Sequence, residues 1–293
     1  MTSAQGAIVS VIVVNYNAGA LLAECVTAVL GSTVTVEVIV SDNGSVDDSL
    51  TRLRARVGAD ARLRIVENGV NLGFAKGNNR ALPLAGAPWL LFLNPDCIVA
   101  PDTLGRMVEA LEAHPEAGIA GCMVRDPDGA EQVACRRAIP DPWIALRRLL
   151  GLERLGGAGL DQRHLPPPRE PVLVEATSGS FMFVRRAALE QVGPLDEGYF
   201  LHCEDLDWFV RFAEAGWRVL LVPGVEVVHH KGACSGGDPL AVERHKHRGM
   251  ERFYRKFQYR RYPRPFSWLV ILGIRLHLGL LVARQWLRWG RTA

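Results

Sequence analysis

The sequence predicts an α/β fold: a mixed, mainly parallel, Rossmann-like sheet flanked by helices, ending in a basic, amphipathic helical tail. Three observations carry this reading. Short runs rich in Val and Ile alternate with helical segments, and each run is closed by Gly, Asn or Asp, the rhythm of βαβ units. The runs are apolar nearly throughout, as strands covered on both faces require. The charge is lopsided: residues 243–293 hold 13 of the 34 Lys and Arg but 2 of the 31 Asp and Glu, a net +11. Residues 1–242, with 21 basic against 29 acidic residues, carry −8.

Taken in order, Ile8 to Val14 reads as the first strand, Glu37 to Ser41 (EVIVS) as the second and Arg64 to Glu67 as a weaker third. Trp89 to Leu93 (WLLFL) is a fourth. A helix from about Pro101 to Glu112 precedes a fifth strand, Gly118 to Val124. Pro101 suits a first helical turn, where its fixed φ and missing N–H cost nothing. The segment 151–171, with GGAG and PPP, reads as an irregular excursion. Beyond it lie strands at Val172 to Ala176 and Ser180 to Val184, a helix near Arg186 to Val192, and the segment HCEDLDWFVRFAEAGW, whose apolar positions 206, 209, 210 and 213 fit helical spacing. Two strand-like runs follow, Arg218 to Val222 and Val225 to Val228. Trp208 and Trp217 read as core. The composition changes at Glu243, which divides the chain into a globular region (1–242) and a tail (243–293).

Length and composition exclude several classes. At 293 residues, 48% hydrophobic and 22% charged, with a mean hydropathy of +0.08, the chain is neither disordered nor collagenous. Six cysteines without a CxxC pair exclude a zinc ribbon and suggest thiols in a reducing compartment. The start of the chain lacks the flanks of a signal peptide, so residence in the cytoplasm is expected. Neither GxxxxGK[ST] nor GxGxxG is present.

Four polar loops follow the strands: NYNAG (15–19), DNGSVDD (42–48), NGVNLGFAKGNN (68–79) and NPD (94–96). In an open α/β sheet such loops line the ligand crevice. Asp42 at a strand tip has the chemistry to accept from a pyrimidine N–H or a ribose hydroxyl, and Asp96 has that of an oxygen ligand for Mg2+ or Mn2+. Each motif alone also fits ordinary turn and capping chemistry.

Together the motifs resemble family 2 glycosyltransferases of the nucleotide-sugar-binding GT-A fold, in their bacterial rhamnosyltransferase-like branch. The matching stretches are VSVIVVNYN (9–17), VIVSDNGSVDDS (38–49), NLGFAKGNN (71–79), LFLNPD (91–96), SGSFMFVRR (178–186), DEGYFLHCEDLDWFVR (196–211) and VVHHKGACS (227–235). The resemblance implies that Asn15, Tyr16, Asn17, Asp42 and Asn43 contact the nucleotide. Asn71, Phe74 and Asn78 would close over base, ribose and sugar, with Asn94 beside them and Lys76 near a phosphate. Asp96 matches the metal-binding acid, joined by His229 or His230. Asp205 matches the catalytic base and Glu204 its acidic neighbour.

What the resemblance implies chemically is an inverting, metal-dependent transfer of a sugar, L-rhamnose from dTDP-rhamnose being the expected donor, to a polyprenyl-linked or growing cell-wall or O-antigen glycan. A carboxylate deprotonates the acceptor hydroxyl, Mg2+ or Mn2+ neutralises the leaving diphosphate, and the pocket aligns both substrates. A noncatalytic nucleotide-sugar-binding scaffold and a nucleotidyltransferase are the rival readings. In the tail, residues 244–266 pack nine Arg or Lys among six aromatics. The apolar run after Phe266 is long enough to span a membrane, but Arg275 and His277 interrupt it. The reading adopted is an interfacial helix on the anionic inner face of the plasma membrane; nucleic acid is not an expected partner.

Overall fold

The computed structural model describes residues 6–143, 166–230, 232 and 238–289. Its first half is a βα alternation: β1 (Val9–Asn15), α1 (Ala20–Leu30), β2 (Val36–Asp42), α2 (Ser49–Val57), β3 (Leu63–Glu67), α3 (Phe74–Ala81) and β4 (Trp89–Leu93). Next come a two-residue strand β5 (Cys97–Ile98), α4 (Thr103–Ala113) and β6 (Ala117–Arg125). After the intervening segment the chain forms β7 (Val172–Val174), β8 (Phe181–Arg185), α5 (Arg186–Val192), α6 (Glu204–Glu214) and β9 (Arg218–His229), then α7 (Pro239–Phe253) and α8 (Arg264–Trp289).

The strands form one sheet in the order β3-β2-β1-β4-β8-β6-β9-β5, with β7 also on β9. β3, β2, β1 and β4 run parallel; β8 is antiparallel to both β4 and β6, and β6 is parallel to β9. The apolar strands divide their residues between two cores by the two-residue period of a strand. Val9, Val11 and Val13 of β1 and Trp89, Leu91 and Leu93 of β4 pack with α1 and α4. Ile12, Leu90 and Phe92 face the opposite side with α6. There the fully buried Trp208 meets Phe92 edge-on, with centroids 4.9 Å apart, and its indole N–H donates to the Gly193 carbonyl at 3.0 Å. An aromatic contact of this kind adds about 0.5–1.5 kcal/mol beyond area burial, and here it fixes α6 against the sheet.

Four features differ from the sequence reading. Pro101 lies in the turn before α4, which begins at Thr103 behind Asp102. The two runs expected after Arg218 are one strand, β9, whose register against β6 shifts after Val222, where Pro223 and Gly224 bulge out. A proline, having no N–H, is accommodated in a strand at such an interruption. β5 was not foreseen, because two residues carry no period. The change of composition at Glu243 falls inside α7, which starts four residues earlier with the Asp238 side chain accepting from the N–H groups of Leu240 and Ala241, both at 3.0 Å. The excursion expected over 151–171 lies largely outside the described residues, as does the KGACS turn apart from Gly232. Five of the six cysteines are described, and all five are buried.

The tail is docked rather than detached. α8 packs along α7, and the two polar residues that interrupt its apolar run are both engaged there. Arg275 donates from Nε and Nη2 to Glu251 at 2.9 and 2.8 Å. His247 donates from Nδ1 to the Glu243 carbonyl at 2.7 Å, which leaves its Nε2 to accept from Nδ1 of His277 at 2.9 Å. The expected amphipathic polarity takes an unusual form: Ser267 and Ile271 are buried, while Trp268, Leu269, Leu272, Leu276, Leu280 and Trp286 are exposed. Residues 264–286 have a mean hydropathy of 1.9 in their most apolar stretch, enough by length and composition to cross a membrane.

Gly121 in β6 gives one test of this packing. A Cβ placed there would lie 2.6 Å from Cβ of Thr177, so the strand and the Thr177 segment close together only over glycine. Gly121→Ala should lower stability by roughly 1–3 kcal/mol, as overpacked cores do. Urea unfolding should show a lower midpoint with the slope unchanged; an unaltered midpoint would contradict the tight approach.

Candidate active site

Three strand ends meet at one edge of the sheet. Asn15, closing β1, is in register with Asp42, closing β2, and β4 on the other side of β1 runs out into Asn94-Pro95-Asp96. Asn15 is fully buried, and its Nδ2 donates to Asp42 Oδ1, Ser49 Oγ and Ser45 Oγ at 2.7, 2.9 and 3.0 Å. Asp42 Oδ1 also accepts from the Ser45 hydroxyl at 2.7 Å, and Oδ2 accepts from the N–H groups of Gly44 and Ser45 at 3.1 and 3.0 Å. Two donors on each oxygen fill a carboxylate's acceptor capacity. In this arrangement Asn15 and Asp42 shape the loop that a ligand would meet. The adjoining Tyr16 is exposed and Asn17 half-buried, the latter with φ 53° and its Oδ1 accepting from Val46 N at 2.8 Å.

The third loop is held from beneath in the same way. Buried Asn43 donates to the Gly73 carbonyl at 3.0 Å and accepts from Asn68 at 3.0 Å. Buried Asn78 donates back to the Phe74 carbonyl at 2.9 Å. Asn71 Oδ1 accepts from Gly73 N at 3.0 Å, and Phe74 N donates to the Phe200 carbonyl at 2.7 Å. Gly73, at φ +81°, sits against the Phe200 backbone where any Cβ would overlap it. Asn71 and Lys76 are exposed, so the edge open to a ligand is formed by Tyr16, Asn17, Asn71, Phe74 and Lys76, while Asn15, Asp42, Asn43 and Asn78 support it.

Asp96 is buried and faces His229, with Oδ1 3.2 Å from Nε2. Two backbone features place it there: β5 pairs antiparallel with the end of β9, Cys97 opposite His229, and His230 N donates to the Asp96 carbonyl at 2.9 Å. Of the two histidines, the side chain beside Asp96 is that of His229, and His230 contributes its backbone. Gln132 fixes the ring. Its amide nitrogen donates to Asp126 Oδ1 at 2.7 Å and to the His229 carbonyl at 2.9 Å, so its oxygen must accept from His229 Nδ1 at 2.8 Å. In the neutral ring this turns the Nε2 lone pair toward Asp96 Oδ1, a buried oxygen with no hydrogen-bond donor among the described residues. The remaining neighbour of Nε2 is Asn94 Nδ2 at a long 3.5 Å. A proton on Nε2, or a cation held by both atoms, satisfies such a pair. The oxygen–nitrogen pair suits Mg2+ or Mn2+. Cys97, whose Sγ lies near both, is a weaker ligand: burial pushes its thiol well up, and it donates to the Ser180 carbonyl at 3.6 Å.

The acidic pair stands at the start of α6. His202 and Cys203 both have φ 71°, so two non-glycine residues adopt the left-handed region immediately before Glu204. Glu204 and Asp205 are 6% and 8% exposed. Asp205 pairs with Arg137, whose Nε donates to the Thr177 carbonyl at 3.1 Å. Glu204 Oε2 has no hydrogen-bond partner among the described residues, and burial followed by the charge of Asp205 pushes its carboxyl up to about 8. The two acidic centres flank one turn, Ser178-Gly179-Ser180. Asn94 N donates to the Ser180 carbonyl at 2.9 Å, and a Cβ on Gly179 would lie 2.7 Å from Asp205 Oδ2. Gln132 and Arg137, both from the segment after β6, were not singled out in the sequence. They stand in no motif, and their signal is purely spatial.

With this geometry in hand, comparison with known proteins is informative. A sequence model described as glycosyl transferase family 2 matches residues 10–193. The chain is 32% identical over 249 residues, 80% of each chain, to the N-acetylglucosaminyl-diphospho-decaprenol L-rhamnosyltransferase of Mycobacterium tuberculosis. It is 29% identical over 181 residues to rhamnosyltransferase WbbL of Escherichia coli, covering 58% of this chain and 65% of that one. The mannosyltransferase PcManGT of Pyrobaculum calidifontis, solved with GDP-Man and Mn2+, has a TM-score of 0.58 at 20% identity, over 94% of this chain and 70% of that one. The structural likeness is one of fold, the GT-A fold.

The raised Glu204 carboxyl makes stability depend on pH. The folded chain holds this proton up to about pH 8, whereas the unfolded chain releases it near 4.5. Between those values the native state binds more protons, so this group's contribution is full below pH 4.5 and is lost as pH rises through 8. Glu204→Gln should therefore gain in melting temperature relative to the unsubstituted protein between pH 5 and pH 9. A constant difference across that range would show that Glu204 is ionised throughout.

Proposed function

We propose, from the premise that this chain belongs to glycosyl transferase family 2 and is related to its bacterial rhamnosyltransferases, that it transfers L-rhamnose with inversion from dTDP-rhamnose to a hydroxyl of a polyprenyl-diphosphate-linked glycan. The observation that carries the reading is the convergence of Asp96–His229 and Glu204–Asp205 on the two sides of one turn. A donor diphosphate at the first centre would then lie within reach of an acceptor hydroxyl at the second. The mycobacterial relative, an L-rhamnosyltransferase of N-acetylglucosaminyl-diphospho-decaprenol, supports both the sugar and the lipid-linked acceptor, and the Escherichia coli relative supports the sugar. The work takes place in the cytoplasm, at the inner face of the plasma membrane.

Asp205 takes the acceptor's proton as the oxygen attacks the anomeric carbon from the face opposite the departing diphosphate. Arg137 fixes the orientation of that carboxylate. Glu204, protonated near neutrality, donates a hydrogen bond to the acceptor sugar. Unequal environments thus separate the roles of two adjacent acids. Asp96 and His229 would hold Mg2+ or Mn2+, which when bound supplies charge neutralisation on the leaving dTDP. Exposed Tyr16, Asn71 and Lys76, with half-buried Asn17, contact the nucleotide end, and buried Asn15, Asp42, Asn43 and Asn78 hold their loops in place.

Purified protein with dTDP-rhamnose, Mn2+ and a short-chain GlcNAc-diphospho-lipid should yield the rhamnosylated lipid and intact dTDP. Release of inorganic diphosphate would favour a nucleotidyltransferase, and nucleotide binding without turnover a scaffold. Asp205→Asn should cut turnover by about 10²-fold or more while leaving donor affinity nearly unchanged, the usual scale of general-base catalysis. Near-normal turnover would reject Asp205 as the base. Mn2+ should raise the melting temperature of the dTDP-bound protein, a gain that Asp96→Asn abolishes; an equal gain in the variant would place the ion elsewhere.

A further inference from the structure

One face of α7 remains unused by the site described above. Arg248, Glu251, Arg252 and Arg255 recur at i, i+3, i+4 and i+7, and with Lys256 they line an open groove of about 470 Å3. Arg275 of α8 enters from the side and shares Glu251 with Arg255, each at 2.8 Å. On the far wall Arg252 and Lys256 share Asp196, also at 2.8 Å. Counting the Asp207 that Lys256 also grips, five cations stand against three carboxylates, a surplus of positive charge in an open groove of small-ligand size.

The groove is coupled to the acidic pair through the loop before α6. Lys256 Nζ also donates to Asp207 of α6 at 2.6 Å, and the Arg252 guanidinium lies 5.3 Å from the Tyr199 ring centroid. Gly249 of α7 lies so near the His202 carbonyl that a Cβ would be 2.7 Å from it, and His245 stacks on Phe200 at 4.2 Å. Phe200 in turn holds the Phe74 loop. On its other side the groove borders α8, whose Leu272, Leu276 and Leu280 are exposed. A cationic groove beside an exposed apolar ridge, one loop from the catalytic helix, matches a ligand with a compact polyanionic head and a hydrocarbon tail. Arginine forks engage phosphate oxygens two at a time, which single-charge headgroups exploit less fully.

We propose that this groove seats the diphosphate of an isoprenoid-diphosphate acceptor, with the hydrocarbon chain lying along the exposed face of α8. The proposal rests on the acceptor class in the functional reading above, and it assigns Arg248, Arg252, Arg255 and Lys256 a role in binding the acceptor's head. The sugar at the head's far end would project over the 198–203 loop toward Asp205.

The test uses the full chain and needs no turnover. Farnesyl diphosphate is titrated into the unsubstituted protein and into Arg248→Ala/Arg255→Ala, both exposed positions, with tryptophan fluorescence as the readout and matched melting temperatures as the folding control. The double variant should bind about 10-fold or more weakly, the scale of losing charge-assisted hydrogen bonds, while phosphatidylglycerol vesicles bind both proteins alike. Equal affinity for farnesyl diphosphate overturns the proposal. So does a parallel loss on vesicles, which would identify a general anionic-surface contact, or equally tight binding of inorganic diphosphate, which would remove the hydrocarbon from the site. A clear loss on farnesyl diphosphate with no sugar transfer by the unsubstituted protein would keep the groove and refute the rhamnosyl reading. Transfer with an unchanged acceptor KM in the double variant would do the reverse.

Discussion

The pairing of β5 with the end of β9 holds the candidate centre together. Two residues of strand place Cys97 opposite His229, and with them Asp96 beside the His229 ring. Without it, Asp96 would be an exposed tip after β4, a common capping acid with no partner. The pairing is short, but both sides are braced: Gln132 grips the His229 carbonyl and ring, and Asn94 is anchored by the Ser180 carbonyl. That second anchor turns a local motif into a site, since the same turn carries Gly179 up against Asp205. A bulge in β9 just upstream lets one strand serve β6 along its length and still reach β5.

The sequence made the parallel half of the sheet legible because its strands are apolar on both faces and its loops carry asparagine and aspartate. Those loops lie where the fold puts ligand crevices. It also offered Asp96, Glu204 and Asp205 as candidates through short motifs in a fixed order. It could not show which loop residues would be buried. Asn15 and Asp42 look like ligand contacts in a string of letters, yet their hydrogen-bonding capacity goes largely into Ser45 and Ser49. Gln132 and Arg137 were invisible for a different reason: each acts on a residue dozens of positions away, through a segment with neither helical nor strand period. β5 escaped because its pairing, rather than its composition, makes it a strand.

The approach to α6 carries strain. Two successive non-glycine residues with positive φ cost on the order of 1–3 kcal/mol each, and they survive only where neighbours over-determine them. The neighbours here include the tail: Gly249 presses on the His202 carbonyl and Lys256 grips Asp207. The composition boundary at Glu243 therefore separates charge, not structure. Chain segments that differ by 19 units of net charge, −8 against +11, are bound together at the loop that presents the acidic pair.

That docking also bears on the proposal that the tail meets a membrane. For α8 to cross a bilayer as a separate span, Arg275 would have to leave Glu251 and His277 would have to leave His247, each entering hydrocarbon unpaired. Polar groups in that position are expensive without partners. Lying along the surface keeps both contacts and still buries the outward Trp268, Leu272, Leu276 and Leu280 at the interface. The sequence pattern, apolar residues interrupted by one arginine and one histidine, thus becomes consistent once the interruptions are seen to face α7. On the proposed reading the same arrangement holds the catalytic helix at a fixed height above the lipid from which its acceptor extends.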